Sequence, residues 1–147
     1  MRERMPKVKR ERVFADTNVF LRYLTNDVPA QADAVEDLLR RAGAGEVVLV
    51  TNGLVVAEIV WTLESFYELP RIEIRDKVLA ILNTAGLEVV QGDLVLQAIS
   101  WYADTNMDFI DAYNAAWLIS AGLEKIFTFD RKHFSRIEGI AVSVPGE

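Results

Sequence analysis

From Val13 onward, short apolar runs alternate with longer stretches in which apolar residues recur at helical spacing. Val13-Phe14-Ala15 stops at Asp16 and predicts a first strand with that carboxylate at its carboxyl end. Asn18 to Tyr23 begins a helix or turn, and Asn26-Asp27-Val28-Pro29 breaks the chain and restarts it, with Pro29 suited to a first helical turn. The next helix runs to about Arg41 with Ala32, Val35, Leu38 and Leu39 inward, and Gly43-Ala44-Gly45 stops it. Val47 to Thr51 is a continuous β-branched-rich run, as expected of a strand covered on both faces. Helices follow over Leu54–Tyr67 and Ile72–Ala85, then a strand over Leu87–Gln91. Asp93 leads in a helix to Asp104 as its N-cap, Met107-Asp108 opens another to Ala121, and strands close the chain at Lys125–Phe129 and Ile140–Val144. Strands alternating with helices imply a mostly parallel sheet flanked by helices.

Composition narrows the class. The 147 residues suit one domain with a real core, 51% are apolar and 26% charged, and no internal repeat or linker divides them. No cysteine is present, which excludes disulfides and thiolate chemistry and fits a reducing cytoplasm. No run approaches the roughly 20 apolar residues a membrane helix needs, and no secretory signal is expected. Residues 1–12 hold six basic and two acidic residues and read as a flexible basic arm ahead of a single domain at 13–147. The remaining ten basic and twenty acidic residues make that domain a poor generic binder of nucleic acid, because affinity for a polyanion comes mostly from Lys and Arg. A bound divalent ion would supply the missing positive charge locally.

Four carboxylates stand in unusual places. Asp16 closes the first strand and Asp130 closes Ile126-Phe127-Thr128-Phe129 in the same way, so in one parallel sheet the two would share an edge. Glu58 interrupts Val55-Val56-Ala57-Glu58-Ile59-Val60-Trp61, an apolar helix in which a lone buried acid is costly unless paired or bound to metal. Asp111 interrupts Phe109-Ile110-Asp111-Ala112-Tyr113, while Asp108, three residues earlier, reads better as a cap. An all-oxygen cluster suits Mg²⁺ or Mn²⁺, and such ions serve phosphodiester hydrolysis.

Asp16-Thr17-Asn18, then Glu58, then Asp111-Ala112 in an apolar helix, then Thr128-Phe129-Asp130 resembles the PIN-domain family over about Val13 to Val144. The short single-domain layout is similar to its VapC-like branch, the toxin ribonucleases of type II toxin–antitoxin modules. That resemblance implies a three-layer α/β/α sandwich and a Mg²⁺- or Mn²⁺-dependent endoribonuclease. It implies Asp16, Glu58, Asp111 and Asp130 as catalytic, metal-binding acids, with Asn18 and Thr128 helping to hold the pocket. It also implies an RNA substrate, a cognate antitoxin whose basic segment enters the acidic groove, and a homodimer. Lys132 stands where some relatives carry a further acid.

Other residues are set aside. His133, the one histidine, is expected to serve at the surface or in packing, and Trp61, Trp101, Trp117, Phe66 and Tyr113 in the core. Arg131 and Lys132 are the leading candidates for a phosphate-contacting rim. Two rivals remain open. A phosphatase using Asp16 as nucleophile would resemble the haloacid-dehalogenase-like enzymes, whose Asp-x-Asp is here Asp16-Thr17-Asn18. A non-catalytic module would use the acidic groove only to dock a basic peptide or an RNA-processing partner.

Overall fold

The computed structural model describes residues 10–147, so the first nine residues of the expected basic arm lie outside it. Three strands, β1 (Arg12–Phe14), β2 (Val48–Thr51) and β3 (Leu87–Val89), form a parallel sheet in the order β1-β2-β3. Arg12 pairs with Val48 and Leu49 with Leu87. Two further strands, β4 (Lys125–Phe127) and β5 (Ala141–Ser143), pair in parallel as a second sheet.

The single sheet expected from the sequence is therefore divided, and β1 and β4 share no ladder. Strands of three or four residues offer few ladder bonds, so side-chain packing joins the two sheets instead. Ile126 and Val142 of the second sheet pack on the same core as Leu87 and Val89 of the first. Helices α1 (Thr17–Thr25), α2 (Pro29–Gly43), α3 (Gly53–Ser65), α4 (Arg71–Leu82), α5 (Gly92–Asp104), α6 (Phe109–Ser120) and α7 (Arg131–Phe134) complete an α/β sandwich.

Helix starts follow their local chemistry. Asp16 caps α1 by accepting from Thr17 N–H, Asn52 caps α3 by accepting from Val55 N–H, and Pro29 opens α2. Asp108 caps α6 by accepting from Phe109 N–H. Asp93 does not cap α5; it sits in the first turn, and Gln91 holds the cap position at φ 56° with no side-chain bond to the helix. An acid in a first turn still meets the positive end of the helix dipole.

Two apolar clusters meet at Leu87. On one side α2 lays Leu38, Leu39 and Ala42 against Val47 and Leu49. The larger cluster gathers Phe20, Val56, Ile59, Ile74, Val95, Tyr102, Phe109 and Phe134 from six helices. Several aromatics expected in it lie outside. Trp61 is 66% exposed, Phe66 74% and Trp117 47%, while Trp101 and Tyr113 are half-buried. Helix α3 is consequently not apolar all round: Leu54, Glu58 and Trp61, spaced i, i+4, i+7, form an exposed stripe.

Arg71 ties the helices that carry the site. Its guanidinium donates to the carbonyls of Tyr102 at 2.9 Å and Met107 at 2.6 Å and lies 4.2 Å from the Tyr102 ring centroid. The Tyr102 hydroxyl donates to Glu64 at 2.8 Å. The loop that launches α6 is thus anchored to α3, α4 and α5 together.

Two stability experiments follow from this packing. At Gly86 the backbone sits at φ +80° and an added Cβ would fall 2.2 Å from the Ala42 carbonyl oxygen, whereas at Gly122, φ +74°, it would meet nothing within 4 Å. Gly122→Ala should cost about 1 kcal/mol from backbone strain alone, and Gly86→Ala about 2–4 kcal/mol, as read by urea unfolding. Burial first, and the neighbouring Glu64 second, push the Tyr102 phenol well above its ordinary value. The folded protein therefore holds this proton more tightly than the unfolded chain. Its contribution is full below about pH 10 and lost as pH rises beyond it. Urea midpoints measured from about pH 8 to 11 should decline for the native protein and decline less for Tyr102→Phe.

Candidate functional site

The sheet ends set the positions of the first two acids. Ala15 N–H donates to the Val50 carbonyl at 2.9 Å, and the buried Thr51 hydroxyl donates to the Ala15 carbonyl at 3.1 Å. The end of β1 is therefore clamped to the end of β2. Asp16 emerges from that clamp in extended backbone, exposed, with Oδ1 accepting from Thr17 N–H at 2.8 Å. Its other oxygen remains available. Thr17 turns inward and is 4% exposed, and its hydroxyl donates to Glu58 Oε2 at 3.1 Å. That bond joins α1 to α3 and draws Glu58 toward Asp16.

Glu58 is exposed, contrary to the buried position its apolar neighbours predict. The reason is the exposed stripe it occupies: Val55, Val56, Ile59 and Val60 fill the core while position 58 faces out. Its carboxylate needs no buried counter-charge, and Thr17 supplies its contact.

The other two acids meet directly. Asp111, half-buried on α6, places Oδ2 3.1 Å from Nδ1 of His133, and Asp130 places Oδ2 3.5 Å from the same nitrogen. A carboxylate can only accept, so His133 donates the Nδ1 proton to Asp111. One ligand atom from each of Asp111, Asp130 and His133 lies within 4.8 Å of the others. Among the described residues this is the one such group of three. The Thr128 hydroxyl accepts from Asp130 N–H at 3.0 Å and fixes the turn that carries this carboxylate.

Two of the expected acids, Asp111 and Asp130, are thus brought together, and Asp16 and Glu58 form a second pair linked through Thr17. Asn18 is exposed and lines a groove with Arg22 and Gln31 between α1 and α2. Asp108 serves as the α6 cap. Arg131 pairs with Glu147.

His133, expected to serve at the surface or in packing, is partly exposed and stands beside both acids. Its signal was present: it follows Asp130 by three residues, and one helical turn puts such a pair on one side. The partner on α6 had no signal, because residues 111 and 133 meet only through tertiary packing. Thr17 carried no signal either, being a small polar residue whose bond to Glu58 spans 41 residues.

Chemically, two carboxylates and an imidazole on one patch form a donor set that fits a divalent cation, open to solvent on one side. A cavity of about 350 Å³ lies apart from these acids, lined by Asn52, Leu54, Gln91, Phe109, Tyr113 and Asn114.

No match is found among curated proteins. Among solved structures, the chain is similar to VapBC2 from Rickettsia felis, solved bound to a DNA fragment from its promoter. The identity is 13% and the TM-score 0.35, over 90% of this chain and 98% of that one. It is also similar to Mycobacterium tuberculosis VapC20, a sarcin–ricin loop cleaving toxin. There the identity is 23% and the TM-score 0.35, over 87% of this chain and 96% of the other. A family model for the PIN domain matches residues 13–140, and with that match over most of its length the chain belongs to the PIN-domain family.

Proposed function

We propose that this protein is a Mg²⁺- or Mn²⁺-dependent endoribonuclease, the toxin of a type II toxin–antitoxin pair. The observation that carries the reading is the meeting of Asp111 and Asp130, from elements distant in sequence, in a chain of the PIN family. Asp111 and Asp130 hold the cation, and Asp16 and Glu58 complete the acidic face. What the ion supplies when bound is Lewis acidity toward the phosphodiester and a water of lowered pKa.

The protein's own groups do the rest. The Thr17 hydroxyl orients Glu58, and the Thr128 hydroxyl fixes the turn bearing Asp130. Lys132, exposed two residues beyond Asp130, offers positive charge to the RNA backbone at the rim of an otherwise acidic face. The same acidic surface suits a basic segment of an antitoxin. Leu54, Trp61, Ile110 and Trp117 leave exposed apolar area on α3 and α6, and this supports a homodimer. Among the described residues no helix is long and apolar enough to cross a membrane, in keeping with a cytoplasmic toxin.

Mn²⁺ titrated calorimetrically into the native protein should bind saturably. Asp111→Asn and Asp130→Asn should each weaken binding by about tenfold or more. Both variants should lose about a hundredfold or more of cleavage rate on single-stranded RNA, and EDTA should abolish it. Absence of binding at millimolar Mn²⁺ would overturn the nuclease reading in favour of a docking module. In sedimentation, Trp61→Glu should shift the native protein from dimer toward monomer.

A further inference from the structure

We propose that His133 is itself a metal ligand, so that the centre is a mixed nitrogen–oxygen site formed by Asp111, Asp130 and the His133 imidazole. This inference rests on the metal-dependent reading above and adds a nitrogen donor to what the sequence had marked as an all-oxygen set.

Geometry is the first argument. Donors bound side by side on an ion at about 2.1–2.3 Å stand roughly 3.0–3.3 Å apart when their bonds are perpendicular. The Nδ1 atom of His133 is 3.1 Å from Asp111 Oδ2 and 3.5 Å from Asp130 Oδ2. His133 and Asp111 therefore already stand at the separation that neighbouring ligands keep, and Asp130 lies a few tenths of an ångström beyond it.

Placement is the second argument. Asp111 comes from the first turn of α6, and Asp130 and His133 come from the N-cap and the third residue of the short helix α7. Phe134, next to His133, is buried in the main core and pins α7 against α6. The ring is thereby held in place. All three side chains remain partly open, at 29%, 54% and 36% exposure, so an ion can enter without rearrangement.

The imidazole could instead act only as a hydrogen-bond donor that orients Asp111. The two roles differ in the fate of one proton. As a donor, Nδ1 carries the ring hydrogen; as a ligand, Nδ1 offers its lone pair and the ring hydrogen sits on Nε2. Proximity of the same nitrogen to both carboxylates favours the second role. A positioning donor needs one acceptor, whereas a ligand must face the space the two oxygens share.

A nitrogen donor also changes selectivity. Imidazole suits Mn²⁺ better than Mg²⁺, which takes oxygen and keeps its waters. His133 should therefore make the site prefer Mn²⁺.

The protein contains a single histidine, which makes the test direct. Mn²⁺ is added to the tag-free native protein to one equivalent, and the electron spin-echo envelope modulation is recorded. Modulation from imidazole ¹⁴N is expected, and it can come from His133 alone. His133→Gln, with unchanged circular dichroism, should lose the modulation and bind Mn²⁺ about tenfold more weakly, while Mg²⁺ affinity changes by less than about threefold. Saturable Mn²⁺ binding without ¹⁴N modulation in the native protein would overturn the ligand role and leave the acid-based centre standing. No Mn²⁺ binding at all would overturn the metal-dependent reading and this inference with it.

Discussion

The backbone of Ala15 is held from both directions, its N–H by the Val50 carbonyl and its own carbonyl by the Thr51 hydroxyl. Thr51 is 1% exposed, so its hydroxyl makes this bond away from competing water. Everything at the carboxyl end of β1 depends on that clamp. It sets where the chain leaves the sheet, aims Asp16 outward, and turns the next residue, Thr17, inward to meet Glu58. A threonine of such small volume can be buried because its one donor is used, and no buried side-chain polar atom among the described residues lacks a partner.

The same logic governs the second pair of acids with different parts. Asp111 and Asp130 are brought close enough to repel, and the scaffold must hold them without relying on their own attraction. Arg71 anchors the loop before α6, the main core packs the inner face of that helix, and Phe134 holds the short α7 turn. The His133 ring, whose Nδ1 stands beside both carboxylates, offsets part of the repulsion through its Nδ1–H. Rigid elements on both sides allow a charged patch to persist at the surface, as the proposed cation site requires.

Helices α3 and α6 do two jobs at once. One face of each is sealed in the core by Val56, Ile59, Leu63, Ala112 and Ala115. The opposite faces carry an acid beside large apolar side chains, Glu58 with Leu54 and Trp61, and Asp111 with Ile110 and Trp117 further along. This exposed apolar area is the surface on which the proposed homodimer rests.

The period of the apolar residues was enough to place every strand and helix between Val13 and Val144 except the four-residue turn α7, with ends shifted by a few residues. Local physics decides those features: Asp16, Pro29, Asn52 and Asp108 act on backbone groups within three residues of themselves. Asp16, Glu58, Asp111 and Asp130 were legible as acids out of place because each interrupts or ends an apolar run. Contacts between distant segments were not legible. Apolar composition alone could not say that α3 exposes Glu58 and Trp61, since which side of a nearly all-apolar helix faces water depends on what packs against it. Nor could it say that strands this short would divide into two sheets, or that His133 would reach across to α6. By itself the sequence determined the elements, their order and the kinds of groups available for chemistry. Which of those groups meet was decided by tertiary packing, because meeting across dozens of residues depends on how whole helices stack.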